Sequence, residues 1–174
     1  DSYCHFFYPE IKSQMNEEER KIEEEKLLEI DQNIFNTFDQ KRQNGENDSY
    51  ICSLIRDDLV EEFIQYVNQK TISLSSHLNT SIFETNSFLL KNEPTLIEYS
   101  AFYGSIQIFN FLRMNNVELS EKLWLYAIHS QNAILIHILE ECSIEPYGKT
   151  YESVFIESIK CHHNNIAVYI QDNL

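Results

Sequence analysis

Glycine and proline are scarce: three of each occur in 174 residues. A turn-dense β-sandwich needs many positions with φ > 0 or a preset φ, so that architecture is excluded. Helices need few of either residue, and the expectation is an all-α protein. Basic residues are scarce too. Lys and Arg total 13 against 28 Asp and Glu, a net charge of −15. No basic cluster is present to neutralise phosphates, which argues against DNA and RNA as partners. The same repulsion applies to an anionic membrane surface. No run approaches the ~18 apolar residues of a membrane span. The opening Asp1-Ser2-Tyr3-Cys4-His5-Phe6-Phe7 lacks the basic and apolar regions of a signal peptide. It also lacks an initiator Met, which points to a fragment of a longer protein.

Catalytic signatures are missing as well. There is no P-loop, no G-x-G-x-x-G and no G-x-S-x-G. The four cysteines, Cys4, Cys52, Cys142 and Cys161, form no C-x-x-C pair. A chain of this length buries roughly 70% of its unfolded surface and needs no disulfide. Free thiols in a cytoplasmic protein are the expectation. Cys161-His162-His163 places a thiol beside two imidazoles, but adjacent residues on a helix point in different directions. That triplet reads as a buried thiol at a turn. His129 and His137 read as repeat-surface residues. The adjacent acids Asp57-Asp58, Glu61-Glu62 and Glu140-Glu141 read as solvated faces. No catalytic residue, cofactor or metal is expected, and the chain reads as a non-enzyme.

What is present is apolar patterning. The hydrophobic fraction is 43% and the aromatic fraction 13%, too high for a chain disordered throughout. Residues 16–42 read as an acidic helix. Asn16 stands as its N-cap, with Glu17, Glu18 and Glu19 in the first turn. Residues 43–49 form a polar linker, which sets a boundary between an N-terminal segment, 1–43, and a second region, 44–174. Residues 1–50 hold 13 acids and 6 bases, so nearly half the net charge lies there. Ile51, Leu54, Ile55, Leu59, Phe63 and Val67 keep a helical stripe, broken near Arg56-Asp57-Asp58. Residues 70–81 read as a loop, and Phe83 to Leu90 as a short helix or an extended segment.

From Thr95 onward the chain repeats. Residues 95–112, TLIEYSAFYGSIQIFNFL, lie over residues 121–139, EKLWLYAIHSQNAILIHIL. Ala101 falls on Ala127 and Ile108 on Ile134, an offset of 26 residues. A weaker copy spans Tyr151 to Ile170, with Ser158 in the small position. Val117 and Ile144 sit at matching places. Each copy reads as helix, tight turn, helix. A single hairpin of this kind cannot bury its apolar face alone, so neighbours stack.

These residues resemble the ankyrin repeat, T-P-L-H-x-A-A-x-x-G-H-x-x-I-V-x-x-L-L. Thr95, Ile97, Ser100, Ala101, Gly104, Ile108, Phe109 and Leu112 match it. Leu96, Glu98 and Ser105 depart from it, and Trp124 takes the His place in the next copy. Over about residues 44–174 the string resembles an ankyrin-like family greatly expanded in trichomonad parasites. The resemblance implies a solenoid of stacked antiparallel helical hairpins and protein–protein contacts. An ankyrin repeat is about 33 residues long, so the shorter offset leaves out most β-turn fingers. Residues 143–150 alone are long enough for one. Tyr103, Trp124 and Tyr147 are the candidate partner-binding residues, because binding energy concentrates in Trp, Tyr and Arg. The expected function is a protein-interaction module in the cytoplasm. A structural component of a cytoskeletal or ciliary array is the alternative.

Overall fold

The computed structural model describes residues 5–174, so Cys4 lies outside the described residues. The protein is all-α. Among the described residues there is no strand, only an isolated antiparallel bridge between His77 and Thr95. No helix among them is long and apolar enough to cross a membrane. In chain order the helices are α1 (Tyr8–Ile11), α2 (Glu17–Ile30), α3 (Ile34–Asn44), α4 (Tyr50–Arg56), α5 (Val60–Lys70) and α6 (Ser87–Asn92). Then come α7 (Leu96–Tyr103), α8 (Ile106–Met114), α9 (Leu123–Ser130), α10 (Ala133–Glu141), α11 (Glu152–Lys160) and α12 (Asn164–Asn173). A 3₁₀ turn, Tyr147–Lys149, stands between α10 and α11.

Two compact units divide the chain. One takes the described residues through Ser49 together with Asn79–Glu93; the other takes Tyr50–Leu78 and Pro94–Leu174. This differs from a single boundary near residue 43, because residues 79–93 join the first unit although they follow part of the second.

In the first unit, Asn16 caps α2 as expected. Its side chain accepts from the Glu19 N–H at 2.9 Å while the Glu19 carboxylate accepts from the Asn16 N–H, a full capping box. The helix read over 16–42 is broken, however. Asp31 is extended, and its carboxylate accepts from the Asn33 N–H at 2.9 Å. This local side-chain bond competes with the helical one and ends α2 at Ile30. Behind the break, Tyr8, Leu27, Ile34, Phe38 and Phe83 form the core. Phe38 and Phe83 meet edge to face at 5.3 Å.

Residues 43–49, read as a linker, are tied down. The Thr85 N–H and hydroxyl both donate to the Gly45 carbonyl, at 3.0 and 2.8 Å. Asn47 is buried, and its side-chain amide donates to the Asn79 carbonyl at 2.8 Å. A polar run looks like a linker until partners more than thirty positions away are known.

The second unit contains four helical hairpins: α4–α5, α7–α8, α9–α10 and α11–α12. Each turns through one left-handed residue, Asp58 (φ 51), Gly104 (φ 70), Gln131 (φ 53) and His162 (φ 59). Leu59, Ser105 and His163 donate back to the carbonyls of Leu54, Ser100 and Ser158, at 3.0, 2.9 and 2.8 Å. These are the long closing bonds of a Schellman motif. In the third hairpin the Asn132 N–H donates to the Ser130 hydroxyl instead, at 3.1 Å. The same device closes the second helices. Thr71, Asn116 and Ser143 are left-handed, and Ile72, Val117 and Ile144 donate to Val67, Leu112 and Leu139. Glycine stays scarce because other residues accept this conformation, at roughly 1–2 kcal/mol each.

These turns correct the repeat register. Gly104 and Gln131 are 27 positions apart, not 26. The buried small residue that answers Ala127 is Ser100, and Ile108 answers Leu135. Ile134, expected on the core face, is 61% exposed, whereas Leu135 is fully buried. The pair Val117 and Ile144 already stood at the true offset.

Four residues before each left-handed turn sit Leu54, Ser100, Ala127 and Ser158, all buried. Here the first helices meet: α7 packs against both α4 and α9, and α9 against α11. Close helix approach favours small side chains. Ser100 and Ser158 are tolerated in this apolar place because their hydroxyls donate to the Ile97 and Phe155 carbonyls, at 2.7 and 2.6 Å.

Candidate functional site

The hairpin turns of the second unit contact one another in sequence order. The Ser105 hydroxyl donates to the Ile55 carbonyl at 2.5 Å. The Asn132 side chain donates to the Gly104 carbonyl at 3.2 Å. Farther along, the Gln131 amide meets the His163 ring. Gly104 is required here for two reasons. Its φ of +70° disfavours a side chain, and an added Cβ would lie 3.1 Å from Ser130 Cβ.

Of the three candidate binding residues, the structure places one fully at the surface. Tyr147 is 65% exposed on the 3₁₀ turn, next to left-handed Gly148. Tyr103 is half-buried, with its ring 4.8 Å from Tyr99 and 5.9 Å from the Arg56 guanidinium. Arg56 also donates to the Tyr99 hydroxyl at 3.0 Å, and burial pushes the Tyr99 pKa upward. Trp124 is fully buried and presents no surface to a partner. Its indole N–H donates to the Ile144 carbonyl at 2.7 Å, and its ring meets Tyr151 edge to face at 5.1 Å. It fills the space between the third and fourth hairpins.

The triplet Cys161-His162-His163 does not converge. His162 is the exposed left-handed residue of the turn, and His163 contacts Gln131. Cys161 faces His129 instead, with Sγ 3.5 Å from Nδ1 and 3.9 Å from Nε2. Glu157 completes the group, with Oε1 3.2 Å from His129 Nε2. Local structure explains the meeting. Glu157 and Cys161 stand four apart at the end of α11, on one helical face. His129 lies in the last turn of α9, and α9 packs on α11.

The electrostatics oppose a reactive thiol. Burial, then the Glu157 charge, raises the Cys161 pKa above its usual 9.0, which keeps the thiol protonated, and thiolate is the nucleophilic form. Burial lowers the His129 pKa below 6.5, outweighing the Glu157 carboxylate that pulls it up. A neutral imidazole is the ligand form of histidine. Phe102 stacks on the His129 ring at 4.7 Å and fixes its plane. Sequence reasoning missed this group because His129 is 32 positions from Cys161. The four-residue spacing of Glu157 and Cys161 was its one visible signal. Cys142 and Cys161 are free thiols.

No family model, no curated protein and no solved structure matches the chain.

Proposed function

We propose that the chain is a non-enzymatic protein–protein interaction module of the ankyrin-like type. Its hairpins stack as a solenoid, and a partner protein docks on the turns and connectors. One observation carries the reading: the left-handed helix turn recurs four times, and the first helices α4, α7, α9 and α11 pack in succession. Repeat arrays of this kind keep their cores between neighbours and leave extended surfaces for partners. Tyr147 is the assigned contact, since it is exposed on the connector between the third and fourth hairpins and tyrosine is favoured at binding hot spots. The free thiols support a reducing, cytoplasmic setting.

The test is site-specific photocrosslinking in the native cell, with a photoreactive phenylalanine analogue replacing Tyr147 or, in parallel, exposed Glu121. A discrete crosslinked protein at position 147, absent at position 121, supports the reading. Identical crosslinks at both positions, or none at 147, would overturn it.

A further inference from the structure

We propose that His129, Glu157 and Cys161 bind a divalent transition ion of the zinc class and so clamp the third hairpin to the fourth. The three side chains offer one nitrogen, one oxygen and one sulfur atom, all within 4.8 Å of one another. The donor separations match a tetrahedral shell. Ligands at ~2.0–2.3 Å from zinc stand about 3.3–3.6 Å apart. Here His129 Nε2 is 3.2 Å from Glu157 Oε1 and 3.9 Å from Cys161 Sγ. An ion can therefore enter with small side-chain movements and no helix displacement.

The surroundings prepare the ligands. Lys160 Nζ holds the other oxygen of Glu157, Oε2, at 3.1 Å, which leaves Oε1 toward the histidine. The stacked Phe102 ring orients the imidazole. The His129 and Glu157 side chains are only 14% and 16% exposed, and Cys161 is half-buried. The donor set selects the ion. Thiolate and imidazole favour zinc-like ions, while Mg²⁺ and Ca²⁺ prefer shells of oxygen ligands alone. On binding, the Cys161 thiol releases its proton to solvent and the sulfur bonds to the metal. Three protein ligands leave a fourth position for water or for a donor from a partner.

The experiment adds Co²⁺, a spectroscopic stand-in for Zn²⁺, to the purified, reduced full chain. One equivalent is expected to produce visible ligand-field bands and a near-ultraviolet sulfur-to-cobalt band, both removed by Zn²⁺. Cys161→Ser should abolish the sulfur band, and Cys142→Ser should keep it. His129→Ala and Glu157→Gln should each weaken binding by more than about tenfold. Circular dichroism confirms that each variant is folded. Absence of the sulfur band in the wild-type chain, its survival in Cys161→Ser, or its loss in Cys142→Ser overturns the proposal.

Discussion

Asp58 Oδ1 accepts a hydrogen bond from the backbone N–H of Ile108 at 3.0 Å, fifty positions along the chain. Its other carboxylate oxygen accepts from the Gln107 N–H, also at 3.0 Å. The turn of the first hairpin thus caps the second helix of the next. The negative charge sits at the N-terminus of α8, where the helix dipole favours it.

Removing that cap has a defined cost. Asp58→Ala loses the bonds to α8 and keeps a left-handed residue without its local hydrogen bonding. A loss of about 1–2 kcal/mol in unfolding free energy is expected, read by urea denaturation. Asp58→Asn keeps an acceptor and tolerates the left-handed region, so its loss should be smaller. Equal losses for the two variants would contradict the cap.

Gly104 and Gly148 share a positive φ but differ in surroundings. An alanine Cβ at 104 meets Ser130 and Asn132, while at 148 it meets nothing within 4 Å. Gly148→Ala should cost about 1 kcal/mol, from backbone strain alone. Gly104→Ala should cost more, because the third hairpin must shift to make room. Thermal unfolding of the two variants side by side checks the order.

Trp124 is the lone tryptophan and a built-in reporter. Its emission should be blue-shifted in the folded chain and move to the red when the second unit unfolds. Trp124→Ala should destabilise by about 3–5 kcal/mol through the cavity it leaves. Trp124→Phe keeps most of the volume but leaves the Ile144 carbonyl without its indole donor, at about 1–3 kcal/mol.

Mild acid should weaken the second unit through His129. The His129 pKa is lowered on folding, mainly by burial, so the unfolded chain takes up the proton first as pH falls. Stability should therefore decline as pH drops from 7 through the unfolded value of 6.5 toward the folded one. Glu157, Cys161 and His163 are the titratable groups that face the ring. His129→Gln should flatten the slope between pH 7 and 5, measured by urea denaturation at each pH. A separate loss should begin below about pH 4.5. There Glu10, held low by Arg42, and Asp31, held low by Lys41, take up protons.

Much of this architecture is legible in the residues, but not its register. Helical class followed from few glycines, and Asn16 was readable as a cap because capping is local. The repeat was visible in its apolar pairs, yet Ser100-Ala101 offers two adjacent small residues. Pairing Ala101 with Ala127 moved the copies by one position. The left-handed turns settle the offset, and only Gly104 advertises one. The first hairpin was readable as a helical stripe broken near Asp58, but its spacing from the later copies was hidden for another reason. Asp58 and Gly104 lie 46 positions apart, and 15 of these are residues 79–93, which belong to the other unit. Without them the spacing is 31, the same as between Gln131 and His162. Among the candidate site residues, the exposure of Tyr147 was readable because connector length and turn residues are local. The burial of Trp124 was not readable, because it depends on the neighbouring hairpin. The His129 group needed helix packing to bring its members together.

The position of Phe83 in the first unit's core constrains how the chain is made. On the ribosome, α1, α2 and α3 emerge before α4 and α5, but their aromatic partner is encoded after both. Domains generally fold in order of synthesis. Here the earliest helices must wait, with Leu27, Ile34 and Phe38 incompletely covered, until residues 79–93 have left the exit tunnel. A nascent chain arrested before Asn79 would expose that apolar surface, and one arrested well beyond Glu93 would not. The first unit is thus begun before α4 and α5 are made but cannot close until after them.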